Sequence, residues 1–113
     1  DGYPENIFYD QKSKTLSWKG IQGQNGYRFA FVKGDYPGYF DTAKIAYFAA
    51  PGWDEDSKIS GLTYRMPKEF ILEKGQKYHI IMVAHNSTDN TFESQSFFRM
   101  QDHPDHVPHF VAE

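Results

Sequence analysis

The chain has no cysteine among its 113 residues. This absence excludes a disulfide framework, thiol catalysis and every thiolate metal site. No apolar run approaches the roughly 18 residues needed to span a bilayer, so direct membrane insertion is not expected. The 12 Lys+Arg and 15 Asp+Glu residues are interspersed and give a net charge of -3 without a basic stripe. Nucleic acid is therefore not an expected partner.

The sequence also lacks the short motifs that mark common enzymes. It contains no nucleophile elbow, no glycine loop that cradles a phosphate and no HExxH motif. The Asp, Glu, His and Ser residues have no spacing that assembles a catalytic triad or a carboxylate pair. We expect a protein that is not an enzyme and that binds no cofactor.

Aromatic residues, in contrast, are abundant. They make up 18% of the chain, with 8 Tyr, 10 Phe and 2 Trp. Tyr and Phe favour the pleated, half-buried surfaces of β-sheets. The 6 Pro and 9 Gly residues recur often enough to leave little room for long amphipathic helices. This composition indicates an all-β protein.

Seven runs of β-forming residues are separated by polar or Pro/Gly-rich turns. For residues 42–50 a strand is favoured over a short helix, because Ile45 and Tyr47 are β-formers and Pro51 ends the run. Residues 1–100 are predicted to form one domain, and the polar, Pro-broken residues 101–113 a tail or linker. The predicted strands are residues 3–9, 15–20, 27–34, 42–50, 59–67, 76–86 and 91–100.

The segments TLSW, GYRFAFV, YRMP, LEKGQKYHIIMVAHN and SQSFF follow one another in the order seen in a fibronectin type III domain. The resemblance covers about residues 3 to 100 and implies a seven-stranded antiparallel sandwich of two sheets, with an immunoglobulin-like arrangement. The stretch from Gly34 to Ile59 departs from the family by its length and its extra aromatics. The matching positions are Trp18, Tyr27, Leu72, Gly75, Tyr78, Ile80, Met82 and Ala84.

Two of these positions have a physical role that the resemblance implies. Gly75 can adopt the positive φ of a tight corner. Tyr78 can bury its ring and return its hydroxyl to the nearby backbone, in the arrangement known as a tyrosine corner. Such domains usually serve as spacers or docking modules in larger secreted or surface proteins. We therefore expect an extracytoplasmic, non-catalytic module that contacts a protein or a neighbouring domain.

The strand around Ile80–Ala84 carries five consecutive apolar residues. It therefore lacks the alternation of apolar and polar residues that is expected of a strand with one face exposed to solvent. If Tyr78 and Ile80 point into the sandwich, their neighbours point outward. That outer face is covered either by the chain's own tail or middle segment, or by a docked protein. The candidate protein-binding residues are Ala30, Val32, His79, Ile81, Val83 and His85.

Two further groups of residues are candidates for ligand binding. An exposed aromatic ring beside carboxylates could bind a polysaccharide, because the ring stacks on the sugar and the carboxylates bind its hydroxyls. Closely spaced carboxylates could bind calcium. Three histidines in the last segment could hold zinc, copper or nickel if that segment folds back or if two chains share the metal, since in an extended segment successive rings lie about 9 Å apart. The carbohydrate candidates are Trp53, Asp54, Asp56, Tyr36 and Tyr39, and the metal candidates are His103, His106 and His109.

Overall fold

A computed structural model describes residues 4–20, 26–49, 63–86, 91–92 and 102–113. No helix in these ranges is long and apolar enough to cross a membrane. The strands are β1 (Glu5–Asp10), β2 (Thr15–Lys19), β3 (Gly26–Lys33), β4 (Ile45–Ala49), β5 (Thr63–Arg65), β6 (Lys77–Asn86), β7 (Thr91–Phe92) and β8 (His109–Val111). These strands form two antiparallel sheets, one with the order β1-β2-β5 and the other with the order β4-β3-β6-β7, in which β8 also pairs with β6.

The all-β prediction is confirmed, and the two sheets pack as in a sandwich. Phe31 of β3 meets the ring of Tyr9 of β1 edge to face, with 5.0 Å between ring centroids. Phe29 of β3 meets Tyr64 of β5 at 5.2 Å. Every second side chain of β3 thus reaches the smaller sheet, as the period of two in a strand requires.

β3 and β6 form the longest ladder and fix which residues share a face. Phe31 pairs with Ile80, and their neighbours Val32 and His79 pair with each other. Because neighbouring residues point to opposite faces, the first pair lies inside the sandwich and the second on the outer face of the larger sheet. The predicted assignment of inner and outer residues is confirmed for this ladder.

The corner that leads into β6 has the predicted geometry. Gly75 has a φ of +85°, in the left-handed region that glycine tolerates best. The buried Tyr78 hydroxyl accepts a hydrogen bond from the backbone N–H of Glu73, at 2.9 Å. The tyrosine corner is therefore present and ties the turn to the core.

The last segment corrects the expectation of a polar tail. β8 pairs with the beginning of β6, and the N–H of Gly75 donates to the carbonyl of Ala112 at 2.9 Å. Val107 and Ala112 are buried, and the ring of Phe110 stacks on Tyr78. The prediction of a solvated linker is wrong for this part, because a few apolar side chains in a polar segment suffice to fasten it to the sheet edge.

The segment before β4 is partly helical. Thr42–Lys44 forms a short 3₁₀ helix, and the carboxylate of Asp41 caps it by accepting from the N–H of Ala43 at 3.2 Å. The predicted strand is confirmed from Ile45 to Ala49. A second 3₁₀ turn, Pro104–His106, precedes β8. Asn86, the first residue of the predicted hairpin, is the last residue of β6, and the rest of that hairpin, residues 87–90, lies outside the described residues. Most of the predicted strand at 91–100 also lies outside them.

Candidate functional site

The outer face of the β4-β3-β6-β7 sheet, where docking is predicted, is closed within the described part of the chain. The most exposed of its described candidates retains only 6% of its accessible surface. The side chain of His85 lies outside the described residues. Of the two possibilities that the sequence leaves open, coverage by the chain itself is the one these burials fit. The buried candidates are Ala30, Val32, His79, Ile81 and Val83.

Residues 34–41, which we call the covering loop, lie on this face. The loop leaves β3 at Gly34, whose φ of +88° lets the chain turn back. Its Tyr36 ring contacts the ring of His79 edge to face, with 5.7 Å between centroids. Its Phe40 packs against the buried core and lines a pocket beside Ile81. The middle segment of the chain therefore supplies part of the cover.

Polar contacts fasten the start of the covering loop to the first residues of β6. The N–H of Gly34 donates to the carbonyl of Lys77 at 2.7 Å. Asp35 forms an ion pair with the Lys77 side chain, and that pairing lowers the pKa of the Asp35 carboxyl. Both partners of the ion pair are exposed to water, so it contributes little to stability. The backbone contact is the better shielded link.

His79 is the one charged or polar side chain buried in the described core, with 1% of its surface exposed. Its Nδ1 lies 2.7 Å from the carbonyl oxygen of Gly34, which can only accept, so Nδ1 carries the proton and donates. No described residue offers a hydrogen-bond partner to the buried Nε2. Burial lowers the pKa of His79, against the opposing influence of the Gly34 carbonyl. The ring is therefore held neutral.

A small apolar pocket of about 210 Å³ opens beside the covering loop. Phe48 of β4 stands at it with 48% of its surface exposed. The volume lies below the roughly 300 Å³ at which small-molecule sites begin, so the pocket suits one or two side chains of a partner. The residues that line it are Arg28, Phe29, Ala30, Phe40, Phe48, Ile81 and Val83.

The sequence reasoning missed Phe40 and Phe48 as parts of this site. Both lie in the segment between Gly34 and Ile59 that departs from the fibronectin type III pattern. Its extra aromatics were the available signal. Their position over β3 and β6 depends on a long-range fold of the chain, which strand periodicity does not encode.

The carbohydrate candidates are not brought together among the described residues. Trp53, Asp54 and Asp56 lie outside those residues. Tyr36 is turned towards His79 and half-buried, whereas Tyr39 is 57% exposed. An aromatic plate on the covering loop could therefore use only Tyr39.

The three histidines of the last segment are also not seen to converge. His103 and His109 are exposed, and the side chain of His106 lies outside the described residues. Within the described ranges no three His, Asp or Glu side chains form a group that could hold a metal ion.

Comparisons with known proteins leave the family open. No family model matches the chain, and the comparisons with curated proteins and with solved structures give no match.

Proposed function

We propose that this chain is a fibronectin type III-like, non-catalytic interaction module that docks a protein through the outer face of its larger sheet. The observation that carries the proposal is the apolar pocket beside Phe48, which is open on a sheet face whose described candidate residues are buried. The family likeness is supported by the sheet order and by the corner formed by Gly75 and Tyr78. An extracytoplasmic, multidomain setting is the context in which such modules usually act.

The expected partner presents one apolar side chain, of leucine or phenylalanine size, on an accessible segment. Burying such a side chain contributes about 1.5–3 kcal/mol, which is too little for a stable complex by itself. The partner must therefore also contact the rim of the pocket, because specific interfaces bury on the order of 1,000 Å² or more. Phe48 supplies exposed apolar surface for such contacts.

The pocket is tested with a random dodecapeptide library displayed on phage and selected on the wild-type chain. Peptides with apolar or aromatic anchors are expected, and their affinities are then measured by calorimetry. The variant Phe48→Asp places a charge at the pocket and should weaken binding at least about tenfold, equivalent to about 1.4 kcal/mol.

The matched control is Phe8→Asp. Phe8 lies on β1 in the smaller sheet and is 63% exposed, so its substitution leaves the pocket intact. Peptides that bind the wild-type chain and the Phe8→Asp variant equally, and the Phe48→Asp variant weakly, would support the proposal. Failure to select any peptide, or equal binding to Phe48→Asp, would contradict it.

Carbohydrate binding is a second candidate, favoured by the exposure of Tyr39 on the covering loop. An exposed ring can stack on the apolar face of a sugar. Affinity electrophoresis in gels that contain soluble polysaccharides tests this candidate. Retardation of the wild-type chain that disappears in the Tyr39→Ala variant would support this candidate. Equal retardation of both chains would contradict sugar binding through Tyr39.

A further inference from the structure

Two of the contacts that hold the first residues of the covering loop, those of Gly34 and Tyr36, are made with one buried histidine. His79 donates from Nδ1 to the Gly34 carbonyl, and its ring supports Tyr36. Phe40, at the far end of the same loop, forms part of the pocket. A change at His79 therefore acts on the loop that covers part of the outer face.

Protonation of His79 would occur at Nε2, because Nδ1 already carries a proton. Nε2 is buried, and no described group accepts a hydrogen bond from it. A new N–H with a positive charge at this position lacks both water and an acceptor. An unpaired buried charge is strongly unfavourable. Protonation therefore stabilises a state in which water reaches Nε2 relative to the closed state.

The charged groups around His79 do not reverse this balance. Asp35 and Asp41 of the covering loop favour the charged ring, as does the Gly34 carbonyl. His109 of β8 opposes the charge, and Lys77 is already paired with Asp35. Desolvation is the largest influence, and it lowers the pKa of His79 below the usual value of a histidine.

We propose that His79 is a pH-sensitive latch whose protonation releases the covering loop from the outer face of the sheet. Release carries Tyr36 and Phe40 away from β6 and exposes the apolar residues beneath them. The inference that the loop opens depends only on the geometry of His79. The further inference that opening promotes docking rests on the proposed function, because the newly exposed surface enlarges the same pocket.

The direction of the pH dependence follows from proton linkage. A ring whose pKa is lowered in the closed state binds its proton more readily once the loop is open. The closed state is therefore favoured above about pH 6.5, and the open state gains as the pH falls below that value. Between pH 7.5 and 5.5 the open population should rise by up to about tenfold.

Amide hydrogen exchange of the covering loop measures this opening without any ligand, and its main reporter is the Gly34 N–H, which donates to the Lys77 carbonyl. After correction for the intrinsic pH dependence of exchange, protection of the loop amides should fall by up to about tenfold from pH 7.5 to 5.5. Amides in the middle of β2 should keep their protection. A covering loop whose corrected protection is the same at both pH values would overturn the proposal.

The variant His79→Asn tests whether this residue is the sensor. Asparagine can keep a donor near the position of Nδ1 but does not titrate, so the pH dependence of loop protection should disappear. The matched control His109→Asn removes a neighbouring exposed histidine and should retain the dependence. Persistence of the full dependence in His79→Asn, or its loss in His109→Asn alone, would contradict the assignment.

If His79→Asn fails to fold, the wild-type chain still decides the matter. The His79 Cε1 resonance can be followed from pH 8 to 4.5 together with the loop amides. The titration of the His79 resonance and the loss of loop protection should have the same midpoint pH. A His79 ring that titrates with no change in loop protection would contradict the proposal. Peptide binding is scored separately, so an opening loop without a binding pocket would refute the proposed function and leave the latch standing.

Discussion

The two faces of the β4-β3-β6-β7 sheet are both buried, but by different means. On the inner face, rings from other parts of the chain surround Phe31, which contacts Tyr9, Phe70 and Phe110. On the outer face, a loop held near His79 lies beside an open pocket. Burial alone therefore does not separate a permanent core from a surface that can open. The nature of the cover separates them.

The largest effect is expected on the inner face. Phe31→Ala removes a fully buried ring with several edge-to-face partners and should destabilise the chain by about 3–5 kcal/mol. Urea unfolding measures this loss. Phe8→Ala, at an exposed position, should change stability by no more than about 0.5 kcal/mol. Comparable losses at both positions would refute the assignment of the core.

Ile80 and Ile81 compare the two faces with one substitution. Both side chains are buried, but Ile81 lines the pocket, so we expect it to lose fewer packing contacts on truncation. Each change to Ala falls within the range of about 2–5 kcal/mol for core truncations, with Ile80→Ala towards the upper end and Ile81→Ala towards the lower. Urea unfolding of the pair checks the order. A larger loss at Ile81 would mean that the outer face is the better packed one.

The tyrosine corner should contribute less than either core residue. Tyr78→Phe keeps the ring but removes the acceptor of the Glu73 N–H, and should cost about 1 kcal/mol. Thermal unfolding gives the change, and Glu73→Ala is the control because it preserves the backbone N–H. A Tyr78→Phe chain as stable as the wild type would show that the hydrogen bond adds nothing.

The smallest effect is expected at the exposed ion pair on the outer side. Lys77→Met removes the charge next to Asp35 and keeps an extended apolar stem. Because water screens exposed pairs, unfolding midpoints in low and high salt should match those of the wild type closely. If the Lys77→Met variant were clearly less stable than the wild type in low salt but not in high salt, the ion pair would be a main contribution to holding the covering loop in place.

Strand alternation was sufficient to predict which side chains of β3 and β6 face the inside of the sandwich, whereas the pairing of these two strands was implied by the fibronectin type III resemblance. Phe29 and Phe31 recur with a period of two in β3, and this local pattern determines which face of the strand each side chain occupies. Tyr78 and Ile80 do the same in β6. The corner at Gly75 and Tyr78 was also predictable, since a tight turn and a buried hydroxyl each need a particular residue type.

The cover of the outer face could not be derived in the same way. Tyr36 and His79 meet across more than forty positions of chain, and no periodicity links them. β8 was missed for a related reason, because the polar composition of residues 101–113 concealed the few apolar side chains that bury. In both cases a non-local contact overrode the average character of the segment.

The difference between the two faces can be measured directly with single thiols, since the chain has no cysteine. Val32→Cys places a thiol on the outer face beside His79, and Met82→Cys places one on the inner face. Native-state labelling should find the Val32 site reacting through a local opening, with a free energy well below global unfolding and little dependence on urea. The Met82 site should react only through global unfolding. Equal opening energies and equal urea dependence at both sites would contradict the account.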